Sequence, residues 1–65
     1  MKEFNTCEVQ YLNAAGEWCH TFKIDDLEDA KRGAKDYSKM VSQLHRVVRN
    51  NTPVVVYLNG EVYSP

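Results

Sequence analysis

Five apolar side chains in succession, Val54-Val55-Val56-Tyr57-Leu58, constrain this chain more than any other feature. The run is rich in β-branched residues and is closed by Asn59-Gly60, so it reads as a strand. Successive side chains of a strand point to opposite faces. Val54, Val56 and Leu58 then point one way and Val55 and Tyr57 the other, which makes both faces apolar. The chain has 65 residues, enough for one domain spanning 1–65. At that size a single core gives marginal stability. A strand that is apolar on both sides needs cover on both sides.

One cover is a helix. Leu27, Ala30, Ala34, Tyr37, Val41, Leu44 and Val48 recur at alternating steps of three and four, the stripe of an amphipathic helix over about 26–49. Asp25 suits the N-cap, with Glu28 at the third helical position. Acidic residues in the first turn and Arg46 and Arg49 in the last suit the helix dipole, and Pro53 stops the run. Gly33 lies close to the stripe at a cost of about 1 kcal/mol relative to alanine, which points to a close approach between helix and sheet.

The remaining segments are strands. Residues 7–12 and 17–23 flank Asn13-Ala14-Ala15-Gly16, a type I turn sequence. With Asn13 opposite Gly16, one face of the hairpin carries Cys7, Val9, Tyr11, Trp18, His20, Phe22 and Ile24. Asn59-Gly60 is a strong hairpin signal and allows a short last strand at 61–63. The expected fold is α+β, ββαβ(β), with a small antiparallel sheet of order 2-1-3 or 2-1-3-4 and one helix on one face. The second face of the sheet is then left with surplus apolar side chains. Contiguous exposed apolar surface usually marks an interface. Leu12, Cys19, Val55, Tyr57 and Val62 are the expected protein-interface residues, and a homodimer is one way of burying them.

The formal net charge of −1 conceals a segregation. Residues 31–49 carry six Lys or Arg against Asp36 alone, while the acidic residues gather elsewhere. On the expected helix, Arg32, Lys35, Lys39, Arg46 and Arg49 form a basic ridge that suits an acidic partner or a phosphate backbone. A sequence pI near 6.0 is far from the strongly basic range of nucleic-acid binders, so nucleic acid is the alternative and protein the first expectation.

Catalytic and metal chemistry find little to work with. Cys7 and Cys19 are too far apart in sequence for the tight pairs of a structural zinc site and too few for a disulfide framework. His20 follows Cys19 directly, so the two point to opposite faces of a strand. No phosphate loop, nucleophile elbow or dinucleotide fingerprint occurs. The expectation is no enzyme, no cofactor and no metal. The opening Met1-Lys2-Glu3-Phe4-Asn5 carries an acid and no apolar run, and no stretch approaches a membrane span, so a reducing cytoplasm is expected.

Gly16-Glu17-Trp18, Phe22, Leu27-Glu28-Asp29-Ala30-Lys31 with Ala34, and Asn59-Gly60-Glu61-Val62-Tyr63 together resemble the small accessory proteins of bacteriophages that serve host takeover or anti-defence. They also resemble antitoxin subunits of similar layout. The resemblance to the phage proteins implies an inhibitor that binds a host enzyme or defence factor and blocks it by occlusion in the host cytoplasm. It assigns no site residues.

Overall fold

The computed structural model describes residues 6–64; residues 1–5 and 65, which the sequence places in the same domain, lie outside them. Its elements are β1 (Cys7–Leu12), β2 (Trp18–Ile24), α1 (Leu27–Val41), β3 (His45–Arg49), β4 (Thr52–Leu58) and β5 (Glu61–Ser64). They form one antiparallel five-stranded sheet of order β2-β1-β3-β4-β5 with the helix packed on one face. The α+β class, the single helix and the two flanking hairpins are as the sequence indicates.

The helix is shorter than expected. It starts one residue late, with Asp26 as the N-cap accepting from the backbone N–H groups of Glu28 and Asp29. It stops at Val41 because Ser42 takes a left-handed conformation (φ 59°) and donates its N–H to the Ser38 carbonyl, a C-terminal cap that ends the hydrogen-bond ladder. The expected last two turns of helix are instead β3. Asn50 and Asn51 both have positive φ, 54° and 63°, the signature of a type I′ hairpin turn, and they fold β3 back onto β4 with Arg49 opposite Thr52. Asn59-Gly60 makes the same kind of turn between β4 and β5, with Leu58 opposite Glu61.

The first hairpin keeps its turn but not its expected register. The Gly16 N–H donates to the Asn13 carbonyl, while Asn13 itself pairs with Glu17. Tyr11 therefore opposes Cys19 and Leu12 opposes Trp18. Between Gln10↔His20 and Val9↔Phe22 the ladder shifts by one, leaving Thr21 as an extra residue. That bulge reverses the alternation. Phe22 and Ile24 turn to the helix, whereas Trp18 and His20 turn away from it, so the expected single face from Trp18 to Ile24 is split in two. Val54 is the extra residue of β4 and Tyr63 that of β5.

The core lies between α1 and the central strands and is built from small side chains. Cys7, Val9, Val47, Val55 and Tyr57 come from the sheet and Ala30 and Ala34 from the helix. The largest fully buried side chains are Val9 and Val47. A helix face of Ala30, Gly33, Ala34 and Ser38 lets the helix sit close to the sheet. A Cβ built on Gly33 would lie 2.6 Å from Cζ of Phe22. Ser38 is fully buried; its hydroxyl donates to the Lys35 carbonyl at 2.7 Å and accepts the Gly60 N–H at 2.9 Å, pinning the β4–β5 turn to the helix.

Two substitutions test this contact. Gly33→Ala should forgo the gain of about 1 kcal/mol that alanine brings to an open helix position and instead cost about 1–3 kcal/mol by overpacking. Denaturant titration should show that cost shrinking in a Phe22→Leu background. Ser38→Ala leaves the Gly60 N–H unpaired and should cost about 1–3 kcal/mol by the same measurement.

Candidate protein-docking face

One side of the sheet has no covering element among the described residues. Alternation and register assign its occupants, and β1 and β3, which carry no extra residue, set the frame. His20, Gln10, Arg46 and Val56 lie in one row across β2, β1, β3 and β4. Lys23, Glu8, Val48 and Pro53 form the row towards one end. Towards the other end Trp18 lies beside Leu12, the Leu12 N–H donates to the Leu44 carbonyl, and Leu58 lies beside Glu61. The β3–β4 register carried one residue past His45 places Leu44 next to Leu58. An apolar row of Trp18, Leu12, Leu44 and Leu58, ended by Glu61, thus crosses the sheet.

Arg46 governs the polar part of this face. Its side chain lies flat across β1. Nε donates to Oε1 of Gln10 at 2.8 Å, and the guanidinium carbon stands 4.2 Å from the centre of the Trp18 ring, a cation–π contact. Loss of water around it pulls the guanidinium below its ordinary pKa, an effect that the charge of Glu8 opposes. Among the described residues no carboxylate lies within ion-pair distance of Arg46. Glu8 is engaged elsewhere, with Oε2 2.9 Å from Nδ1 of His20. That hydrogen bond is the chief cause of a carboxyl pKa below the ordinary value, against a smaller upward push from burial.

The expected interface residues are distributed differently. Leu12 is on the open face, half-buried. Val55 and Tyr57 belong to the core, 8% and 7% exposed, because the pairing of β4 with β3 turns them to the helix; burial accordingly raises the Tyr57 phenol pKa. Val56 and Leu58 take their place on the open face. Cys19 opposes Tyr11 on the helix side, beyond the end of the helix cover, where its sulfur accepts from Nδ2 of Asn13 at 3.3 Å. The adjacent Cys19 holds the Tyr11 phenol above its ordinary pKa. Cys7 and Cys19 thus share a face, contrary to the expected register, although they stand at opposite ends of the hairpin. Val62 sits on the helix side of the edge strand, 60% exposed.

The basic ridge is broken. Arg32, Lys35 and Lys39 remain exposed on the helix, with Arg32 at 3.5 Å from Asp29 and Lys31 at 3.9 Å from Glu28. Arg46 and Arg49 lie on β3 instead. Arg46 faces the open side, and Arg49 lines a hollow with Asp25, Asp26 and Leu27. A second hollow, between the C-terminal half of α1 and the first hairpin, is lined by Tyr11, Thr21, Tyr37, Val41 and His45. His45 is buried and its Nδ1 lies 2.9 Å from the Gln43 carbonyl, so Nδ1 carries the proton.

The sequence carries a signal for this face that competes with the helical stripe. Val47-Val48 followed by Asn50-Asn51 is a strand and a tight turn, and taking it as such would have placed Arg46 and Val48 on the sheet.

The Glu8–His20 contact gives a pH test. A carboxyl whose folded-state pKa is depressed adds stability that is present above its unfolded value, 4.5 in an unperturbed chain, and is lost as pH falls through the lower folded value. Glu8→Gln should therefore flatten the acid limb of a stability–pH curve and leave the limb above neutrality unchanged, as read by thermal melts across that range.

Comparison with protein families, with curated proteins and with solved structures finds no match to this chain.

Proposed function

We propose that this chain is a small non-enzymatic protein-binding module whose docking surface is the uncovered sheet face. The observation that carries the reading is an apolar row, Trp18, Leu12, Leu44 and Leu58, adjoining an arginine stacked on the tryptophan. Tryptophan and arginine are enriched among the residues that dominate binding energy, and a surrounding apolar rim excludes water from them. A domain whose own core holds nothing fully buried that is larger than valine has its bulkiest apolar side chains outside that core.

Action by occlusion suits such a surface. It needs no catalytic group, and it agrees with the inhibitor role that the resemblance to phage accessory proteins implies, in a host cytoplasm. The basic cluster left on the helix, with Lys35 and Lys39, offers a secondary contact to an acidic partner. The nucleic-acid alternative is weakened, since Arg46 and Arg49 do not extend the helix cluster and Lys31 and Arg32 are already near acidic side chains. No helix of the described residues is long and apolar enough to cross a membrane.

Chemical cross-linking in the cells that make the protein tests the reading. Leu58→Asp and Trp18→Ala should leave a cooperatively folded domain by circular dichroism and remove the cross-linked protein adducts. Lys35→Ala should keep them. Adducts that survive both open-face substitutions would exclude this face as the docking surface. Tyr57→Asp should unfold the chain and serves as the contrast for a core position.

A further inference from the structure

The open face carries charges that are complementary to themselves. Near β2 stands the guanidinium of Arg46, held by Gln10 and Trp18 with no carboxylate of the described residues in reach. At the other edge, on β5, stands Glu61, exposed and in no ion pair among the described residues. The two belong to the same end of the same face. Arg46 is rooted on β3 and reaches over β1 to the Trp18 ring, whereas Glu61 lies on the edge strand β5, two strands from β3, about 10 Å at a strand spacing of about 4.8 Å.

We propose that a second copy of this chain covers the open face, with a twofold axis running along β3. The proposal rests on the reading of this face as a docking surface and names its occupant. A twofold in that direction lays β2 of each copy over β5 of the other and β1 over β4. Leu12 then packs on Leu58 of the second copy and the two Leu44 side chains meet at the axis; Arg46 is rooted on the same strand, but its side chain leans off the axis towards Trp18, which brings each guanidinium to Glu61 of the second copy, twice by symmetry. The product is a sandwich of two aligned sheets about 10 Å apart with both helices outside. A twofold across the strands would oppose the two Arg46 groups instead, and like charges brought together across an interface are unfavourable. The dimer supplies the larger core that a chain of 65 residues, with no fully buried side chain larger than valine, lacks. Its outer surface presents the helices, and with them Lys35 and Lys39, to any further partner.

Analytical ultracentrifugation across micromolar concentrations tests this, with circular dichroism confirming that each variant is folded. The unaltered chain should sediment as a dimer. Arg46→Glu places four acids where two ion pairs stood, and Glu61→Arg places four bases there, so each variant alone should dissociate at least about tenfold more readily. An equimolar mixture of Arg46→Glu chains and Glu61→Arg chains should restore the dimer, because each copy then brings the charge the other needs. The double substitution in one chain should dimerise as well. The proposal is overturned if the unaltered chain is a monomer, if either single variant stays fully dimeric, or if the mixed variants remain apart. A monomeric chain whose cellular adducts are still lost on Leu58→Asp overturns the second copy alone; a monomeric chain with no such adducts overturns the docking reading too.

Discussion

The close approach of a small-residue helix to the sheet is the contact on which the rest of the structure depends. Ala30, Gly33, Ala34 and Ser38 give the helix almost no side-chain bulk where it meets Phe22 and the central strands. A helix with leucine at those positions would stand further off and enclose more apolar volume. This one encloses little, and Val9 and Val47 are the largest side chains it hides completely. Burial contributes about 25 cal/mol per Å² of apolar surface, so a thin core stabilises weakly however well it packs. Polar ties compensate in part. The buried Ser38 hydroxyl bridges the helix and the β4–β5 turn, and Asp26 caps the helix as it leaves the hairpin.

Given that thin core, the placement of the three extra strand residues matters. Each reverses the alternation on one strand; two lie on β2 and β4, which flank the two straight strands β1 and β3, and the third lies on the edge strand β5. The reversal at Thr21 is the most consequential. Without it Trp18 and Phe22 would share a face, and the close helix has room for only one of those rings. With it, Phe22 packs edge-on against Tyr37 at 5.5 Å beside the helix, while Trp18 goes to the other side as a platform for Arg46. The bulge has a local cost, since the Thr21 hydroxyl is enclosed without a hydrogen-bond partner among the described residues.

Much of the architecture was legible from sequence, and the parts that were not failed for identifiable reasons. The first hairpin, the N-terminal half of the helix, the β4 strand and the Asn59-Gly60 turn each carry a strong local signal and fall at the residues expected, although β4 was expected beside β1 and β3 stands between them. The misreading came at Leu44 and Val48, which extend the helical stripe of Leu27, Ala30, Ala34, Tyr37 and Val41 by spacing alone. Two residues can satisfy a period by accident. Val47, the β-branched neighbour off the stripe, and the paired asparagines, with their tolerance of positive φ, argued for a strand and its turn. The loss of two helical turns moved Arg46 from a supposed phosphate-tracking ridge to the sheet, so an error in one element changed the candidate site. Register was legible only where turn chemistry fixes it. The bulges leave no comparable mark in composition, and the facing of β4 is set by its pairing with β3, a strand read as helix, which is why Val55 and Tyr57 were expected outside and Val56 and Leu58 were not.

The surplus of apolar side chains survives that correction, and its new composition narrows what can cover it. As built, the face combines a row of leucines and tryptophan with an arginine desolvated by its neighbours and an acid at the far edge. The charge of Glu8 offsets part of that desolvation without pairing with Arg46, and a guanidinium is a strong specificity element once a carboxylate arrives in forked geometry. On the proposed docking, such a face discriminates among partners by charge position and draws its affinity from the apolar row. The small core and the open face thus go together: a single helix of small residues covers one side of the sheet and encloses little there, and the bulkier apolar side chains stand on the other side.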